Sequence, residues 1–149
     1  MISVIHHGDA VPKGRPRAVI VAGAPSFYTP KGTREYEKEL SVSMLDAMDA
    51  GCYELLKGPV TCSIRVYLKI PKSWSLRKAA AAQMGMLRPW SRPDFDNFTK
   101  IICDAGNKIL WHDDGQIVHC TIDKWYSDKP RIEIETREWV YEEGKGDDV

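Results

Sequence analysis

The sequence predicts a compact α/β (α+β) domain in which a β-sheet is packed by two to three helices. Three observations lead to this class. The chain has 149 residues, of which 43% are hydrophobic and 28% charged, and this length and balance suit one soluble domain with a buried core. Residues 60–70 alternate between apolar and polar side chains, as a half-buried strand does. Residues 95–109 instead place apolar side chains at helical spacing.

The elements are expected within a domain formed by residues 1–140, followed by an acidic, disordered tail at 141–149. A first helix begins near Thr33 and ends at Gly51, because apolar residues recur between them at helical spacing. The remaining expected elements are strands at 2–7 and 17–22, a loop or short edge strand at 25–30, the strand 60–70, a short helix at 75–84, the central helix 95–109, and strands at 116–126 and 131–138.

Burial is expected to follow the same periodicities. The central helix buries one stripe, and the strand after it directs Val118, Cys120 and Ile122 inward. Cys62, Cys103 and Cys120 are expected to be buried reduced thiols, because no Cys-x-x-Cys pair suggests a zinc ribbon. The expected stripe of the helix consists of Phe98, Ile101, Ile102, Ala105 and Ile109.

Charge is unevenly distributed along the chain, although the formal net charge is zero. Residues 57–100 hold nine Lys or Arg against two Asp, whereas residues 101–149 hold six basic and twelve acidic residues. A basic segment therefore leads into an acidic one. Basic side chains can hold a polyanion through phosphate contacts, while a solvated basic face is the alternative that charge alone leaves equally open.

The densest group of reactive side chains surrounds the central helix. Two carboxylates lie at its start in Arg92-Pro93-Asp94-Phe95-Asp96-Asn97, Lys100 follows one turn later, and Asp113-Asp114 come just after the helix. Several neighbouring carboxylates repel one another unless a cation compensates them. Hard oxygen ligands suit Mg²⁺ or Mn²⁺ rather than Zn²⁺, and such a metal beside a lysine can hydrolyse phosphodiesters. The pattern favours a nuclease.

Plainer roles exist for the same side chains. One of Asp94 and Asp96 is expected to cap the helix, and the spacing of Asp96 and Lys100 favours a surface ion pair worth ~0.3–0.5 kcal/mol. The helix is roughly 20 Å long, so Asp114 reaches Asp94 only if the chain folds back along it. An EF-hand is excluded, because loop position 6 would be Thr99 rather than Gly.

Three aromatic or imidazole side chains near these motifs have two interpretations each. His112 is expected to be an exposed turn residue, with a role as base or ligand as the alternative. Trp74 and Trp90 are expected to pack in the core, with stacking on an unpaired base as the alternative.

Several motifs extend the pattern over residues 12 to 138. They are Pro93-Asp94-Phe95-Asp96-Asn97-x-x-Lys100, Asp104-Ala105, Asp113-Asp114-x-Gln116-Ile117, Pro12-Lys13-Gly14-Arg15-Pro16-Arg17, Tyr28-Thr29-Pro30, Thr33-Arg34-Glu35-Tyr36 and Pro71-Lys72-Ser73-Trp74-Ser75. Together they resemble RusA-type Holliday junction resolvases of phages and prophages. Two details depart from the family: Gly106-Asn107-Lys108 stands where Leu-Asn-Gly is common, and Gly115 replaces a common serine.

The resemblance implies a homodimeric, Mg²⁺-dependent endonuclease with a mixed sheet, in which Mn²⁺ substitutes for Mg²⁺ and four-way DNA junctions are cut symmetrically. Carried onto this sequence, it implies that Asp94, Asp96 and Asp114 bind the metal, with Asp113 as the alternative to Asp114. The lysine with a catalytic role would be Lys100.

The expected partner is branched DNA, recognised by shape and backbone rather than by base sequence. The expected DNA contacts are Lys13, Arg15, Arg17, Lys31, Arg34, Lys72 and Arg92, with Lys69, Arg77, Lys78 and Arg88 as further candidates. The alternatives are a flap or branched-DNA nuclease and a non-catalytic DNA-binding protein on the same fold. A nucleotide phosphohydrolase is disfavoured because no Gly-rich phosphate loop is present. With no apolar run of ~20 residues and no signal-peptide pattern, a cytoplasmic location is expected.

Overall fold

The computed structural model describes residues 1–141. The tail expected at 141–149 therefore lies outside the described residues, except for Tyr141. The elements are β1 (Ile2–His7), β2 (Arg17–Val21), β3 (Ala24–Tyr28), α1 (Lys31–Ala50), β4 (Val60–Lys69), α2 (Leu76–Gln83), α3 (Phe95–Gly106), a 3₁₀ turn (Asp114–Gln116), β5 (Ile117–Ser127) and β6 (Arg131–Glu138).

The strands form a four-stranded sheet in the order β1-β6-β4-β5 and a separate hairpin of β2 and β3. β4 pairs with β5 in parallel and with β6 antiparallel, and β1 pairs with β6 antiparallel. The main sheet is therefore mixed, as expected, and the predicted fold class with three helices is confirmed. Within residues 1–141, no helix is both long and apolar enough to cross a bilayer.

β4 is a central strand, and its alternating sequence explains its position. Its even-numbered residues from Val60 to Val66 are buried, while their neighbours are partly exposed. Ile64 is in register with Ile134 of β6 and with Ile122 of β5. Each fully buried aliphatic side chain of this kind contributes roughly 1.5–3 kcal/mol. The alternation predicted for residues 60–70 is confirmed from Val60 to Val66, whereas Leu68 is only partly buried and the strand ends at Lys69.

α1 and α3 bury one stripe each against the core that β1, β4 and β6 contribute. In α3 the stripe consists of Phe98, Ile101, Ile102 and Ala105, as predicted. The helix ends at Gly106, three residues earlier than the predicted 109. Leu110 and Ile109 turn back onto the Gly106 carbonyl. The ring of Trp111 lies so close that a Cβ at Gly106 would be 2.6 Å from its Cζ2. Only glycine fits that approach.

The expected inward alternation of β5 is wrong at its beginning. Val118 is 60% exposed and Cys120 is exposed, and Ile122 is partly buried. The reason is that β5 is an edge strand, so it has a neighbouring strand on one side only, although its first residues pair with the buried residues Val60 and Cys62 of β4. The prediction of buried thiols is confirmed for Cys62 and Cys103 and is wrong for Cys120.

Candidate active site

The entrance of α3 presents two exposed carboxylates. Asp94 occupies the N-cap position with extended backbone angles, but its side chain accepts no capping hydrogen bond. The expectation that one of Asp94 and Asp96 caps the helix is therefore wrong, because no side-chain cap is formed at this end of α3. Asp96 follows inside the first turn of the helix. Negative charge at a helix N-terminus is favoured by the helix dipole. Among the described residues, neither carboxylate is held in a hydrogen bond or ion pair, so their oxygens remain available to a ligand.

Two open clefts meet at Asp94. One of about 710 Å³ is lined by Trp90, Ser91, Arg92, Asp94, Phe95, Asp96 and Lys124. The other, of about 460 Å³, is lined by Pro12, Arg15, Arg92, Pro93, Asp94 and Asn97. Asp94 and Arg92 border both clefts. Carboxylates and guanidinium groups therefore share one surface, a combination that suits a cation and a phosphate side by side.

The loop that carries these residues is tied to β5. The Lys124 ammonium donates to the carbonyl oxygens of Ser91 at 2.9 Å and of Pro93 at 3.1 Å. Arg88 Nε donates to the Lys124 carbonyl at 2.6 Å, and its guanidinium lies on the Trp125 ring. The loop before α3 is therefore anchored at both ends.

Lys100 lies on the same face of α3, one turn beyond Asp96, but its partner is not the predicted one. Its ammonium is 3.1 Å from Asp104 Oδ1 and 4.0 Å from Asp114 Oδ2. Both carboxylates lie toward the C-terminal end of the helix and draw the lysine away from Asp96, so the expected Asp96–Lys100 ion pair is wrong. The hydrogen bond that Lys100 donates to Asp104, together with the negative charges of Asp104 and Asp114, raises the pKa of Lys100.

Asp104 also binds a second lysine. The Lys13 ammonium lies 3.0 Å from Asp104 Oδ2 and 2.8 Å from Glu37 Oε2. Burial disfavours the charge of Lys13, but the hydrogen bonds to these two carboxylates outweigh it and raise its pKa. The backbone N–H of Lys13 donates to the Asn97 carbonyl at 3.0 Å. Lys13, predicted as a DNA contact, thus joins the N-terminal loop, α1 and α3.

The two aspartates in the turn after α3 make different contacts. The Asp113 carboxylate accepts a hydrogen bond from the Gly115 N–H at 3.0 Å and caps the 3₁₀ turn. Gln116 Oε1 accepts from the backbone N–H groups of His112 and Asp113, and its Nε2 donates to the carbonyls of Leu56 and Gly58. Asp114 is left to face Lys100.

Beneath this turn lie the three thiols. Burial raises the pKa of Cys103 to about 12, with the neighbouring charges of Cys120, Asp114 and Asp104 adding to the shift. Cys62 and Cys120 are opposite each other in the parallel pair of β4 and β5. The interaction with Cys62 lowers the pKa of Cys120. The charges of Asp104 and Asp114 therefore act on Cys103 among these thiols.

The structure brings the predicted site residues together in two groups. Asp94 and Asp96 share a cleft, and Asp114 lies with Lys100, as the predicted return of the chain requires. Within residues 1–141, no three Asp, Glu, His or Cys side chains are arranged as a metal-binding cluster. Convergence of all three carboxylates therefore stays a prediction. Their oxygen donors fit Mg²⁺ or Mn²⁺ in chemistry.

The other predicted residues occupy varied positions. Arg15, Arg17, Lys72 and Arg92 are exposed, and none is paired with a described acidic residue. Lys31 pairs loosely with Glu35 at 3.6 Å, and Arg34 donates to the Thr29 carbonyl.

His112, Trp74 and Trp90 differ in their exposure to solvent. His112 is exposed, as predicted. Trp74 is partly buried and packs edge-on against Tyr126. Trp90, predicted to pack in the core, is instead 94% exposed.

Sequence reasoning did not identify Asp104, Gln116 and Lys124 as residues that organise the site. Asp104 had a sequence signal, since it lies four residues after Lys100 on the same helical face. Gln116 occupies the fourth position of a capping box that begins at Asp113, a recognisable local pattern. Lys124 had no local signal, because its partners lie some thirty residues earlier in the chain.

Comparison with known proteins agrees with this geometry. A protein of Bacillus subtilis (strain 168), the uncharacterized protein YqaN, is 34% identical over 134 residues, which are 89% of this chain and 92% of that protein. The family model described as endodeoxyribonuclease RusA matches residues 7–137 and so includes every group of the candidate site. The chain therefore belongs to the RusA endodeoxyribonuclease family, a membership that implies endonuclease activity on Holliday junctions.

Proposed function

We propose that the protein is a Mg²⁺-dependent, structure-specific endodeoxyribonuclease that resolves four-way DNA junctions by paired, symmetric hydrolysis of phosphodiesters in recombination and repair. Its setting would be the cytoplasm of a bacterium or of a phage-infected cell. The observation that carries the proposal is the arrangement around α3. Exposed carboxylates lie at its entrance, Lys100 lies one turn further, and Asp114 returns to the Lys100 ammonium at 4.0 Å.

Asp94, Asp96 and Asp114 are the residues that would hold the metal, and Mn²⁺ would substitute for Mg²⁺. Asp114 is preferred to Asp113 because the Asp113 carboxylate is engaged in capping its own turn. A ligand that must leave a capping bond before it binds metal starts at a disadvantage of about 1 kcal/mol. Among residues 1–141, the side chain of Asp114 is held only by the longer contact with Lys100.

A bound Mg²⁺ would supply Lewis-acid activation of the attacking water and neutralise charge on the phosphate. The chain's own groups would do the rest. Arg15 and Arg92, which border the cleft beside Asp94, would orient the phosphate. Lys100 would stabilise the negative charge that develops on the phosphate oxygens. Water oxygen bonds to phosphorus as the bond to the 3′ oxygen breaks, which leaves a 5′-phosphate and a 3′-hydroxyl.

Lys100 suits this role because its protonation is assured. Its pKa is raised mainly by the Asp104 hydrogen bond, so the ammonium stays charged at any pH at which DNA is duplex. Its side chain remains 59% exposed and can reach a substrate phosphate without leaving the helix face. Asp104 orients it from the side opposite the entrance carboxylates.

DNA would approach through the exposed basic residues Arg15, Arg17, Lys31, Arg34, Lys72 and Arg92, with Lys13 bracing the loop from which two of them project. Backbone contacts of this kind give strong salt dependence and little base preference. A homodimer with a two-fold axis would place two such sites on opposed strands of a junction. That symmetry explains how one protein would make two matched cuts.

The test is cleavage of a synthetic four-way junction labelled on each strand in turn, with and without Mg²⁺. An Asp96→Asn variant serves as the inactive control, and a flap and a nicked duplex of the same sequence are compared. The proposal expects nicks at matching positions on two opposed strands, ligatable ends, and loss of cutting without Mg²⁺ or Asp96. Preferential cutting of the flap would show that the substrate is a flap rather than a four-way junction. Tight binding without cutting in the presence of any divalent ion would show that the protein binds DNA without being a nuclease.

A further inference from the structure

Trp90 is the most exposed aromatic side chain in the described part of the chain, at 94%. Tryptophan is usually largely buried, so full exposure of this ring is informative. The residue before it, Pro89, is buried, and Phe95 beyond it is 60% exposed. Two aromatic side chains thus face solvent on either side of Asp94. We call Trp90 and Phe95 the aromatic shelf.

The backbone of the segment that carries the aromatic shelf is held by hydrogen bonds. Lys124 holds the carbonyls of Ser91 and Pro93 on one side of Trp90, and Arg88 holds the Lys124 carbonyl on the other. Phe95 is the first residue of α3. The backbone that carries the two rings is therefore fixed to β5 and α3, while the rings themselves project into solvent. A fixed backbone limits the positions that the rings can take and so lowers the conformational entropy lost when a flat ligand stacks on them.

The shelf forms one wall of the larger cleft, whose other residues include Arg92, Asp94 and Asp96. Two exposed aromatic rings, a guanidinium and two carboxylates in one cleft match the parts of a nucleotide at a metal-dependent cutting site. Base faces stack on aromatic rings irrespective of sequence. Inside a continuous duplex both faces of every base are covered by neighbouring base pairs. Along the DNA, away from its ends, a base at an open branch point offers an uncovered face to the shelf.

We propose that the Trp90–Phe95 shelf stacks on an exposed base at the branch point, next to the phosphate to be cut, and so selects branched DNA over continuous duplex. This inference rests on the proposed nuclease function and adds the means by which the site recognises its substrate. Trp90 is a specificity residue here and takes no part in the bond-breaking step. Its ring would set the position of the scissile phosphate relative to Asp94 and Asp96.

Binding is measured in the Asp96→Asn background, with a four-way junction that carries 2-aminopurine beside the branch point and with a linear duplex of equal length. Trp90→Ala is expected to weaken junction binding about tenfold, the loss of one base–aromatic stack, while duplex binding is unchanged. It should also remove the quenching of 2-aminopurine on binding. Trp90→Phe is expected to restore most of both effects.

Trp139→Ala is the matched control, because Trp139 is also exposed, at 51%, and lines a separate groove with Thr61 and Arg137. It should leave junction preference and quenching intact. If Trp90→Ala keeps the junction-to-duplex preference and the quenching while the wild-type protein cuts junctions, the stacking inference is wrong and the proposed function stands. If the wild-type protein neither binds nor cuts junctions, both are wrong.

Discussion

Lys100 donates to Asp104 across one helical turn of α3 at 3.1 Å, and the same Asp104 carboxylate accepts from Lys13 at 3.0 Å. Asp104 is only 20% exposed whereas Lys100 is 59% exposed. The carboxylate is therefore the fixed member of the pair, and the lysine is the mobile one. Asp104 orients Lys100 along the face that also carries Asp96 and that Asp114 approaches.

Replacing Asp104, which orients Lys100, is expected to impair the chemical step. In Asp104→Asn the amide keeps the size of the side chain but loses the charge that attracts both lysines. We expect kcat for junction cleavage to fall about tenfold or more, because misoriented groups of this kind lose a few kcal/mol of transition-state stabilisation. Junction affinity should change little. Glu35→Gln, which removes only an exposed i,i+4 pair with Lys31, should change neither; equal losses in both variants would contradict the assigned role.

Gln116 is expected to matter for stability more than an ordinary surface glutamine. Its side chain makes hydrogen bonds to four backbone groups that connect the Asp113–Asp114 turn to residues 56–58. Gln116→Ala should lower the free energy of unfolding by about 1–3 kcal/mol in urea titrations. Gln83→Ala, which removes a single hydrogen bond to the Asp128 N–H, should cost about 1 kcal/mol or less. Similar costs for both would mean that Gln116 does not organise the turn.

Gly106→Ala tests the tight end of α3. The added methyl would lie 2.6 Å from Trp111 Cζ2, so we expect a loss of about 1–3 kcal/mol from overpacking. Gly32→Ala in the first turn of α1 meets no atom within 4 Å and should be neutral or slightly stabilising. Thermal or urea unfolding of both variants distinguishes them. A neutral Gly106→Ala would show that Trp111 can move away.

His6 predicts a dependence of stability on pH. Burial lowers its pKa in the folded protein, with Glu39 opposing and His7 reinforcing the shift, and its Nδ1 pairs with Ser43 Oγ at 2.8 Å. Because the unfolded histidine binds protons more readily, stability is full above the ordinary pKa of about 6.5 and falls as pH drops below it. Urea unfolding at pH 7.5 and 5.5 should show this loss in the wild type and a smaller one in His6→Gln. A loss of equal size in both proteins would assign it to other groups.

The fold was predictable where one segment carries its own periodicity. The alternation in β4 and the apolar stripe of α3 each give the buried face directly, because a strand repeats every two residues and a helix every 3.6. The order of the strands in the sheet could not be predicted in this way. That β5 lies at an edge depends on pairing between distant segments, so its exposed Val118 and Cys120 had no local signal.

In the candidate site, too, local features could be predicted from the sequence and long-range contacts could not. The acidic motifs could be located because their residue types and spacing are local. The partner of Lys100 could not be predicted, because Asp96 and Asp104 are each four residues away from it. In the structure Lys100 lies toward Asp104, on the side to which Asp114 returns. The exposure of Trp90 likewise had no local signal, since the loop that carries it is held by Lys124 of the distant strand β5.

The measurement that tests the central claim most directly compares two adjacent residues. Asp114→Asn and Asp113→Asn are assayed on the same four-way junction in saturating Mg²⁺, with unfolding curves to show that both are folded. We expect Asp114→Asn to lose about a hundredfold or more in cleavage rate, as removal of a metal ligand does. Asp113→Asn should retain most of its rate and its stability, because an asparagine oxygen can still accept the capping hydrogen bond from the Gly115 N–H. Normal cutting by a folded Asp114→Asn would contradict the proposed site.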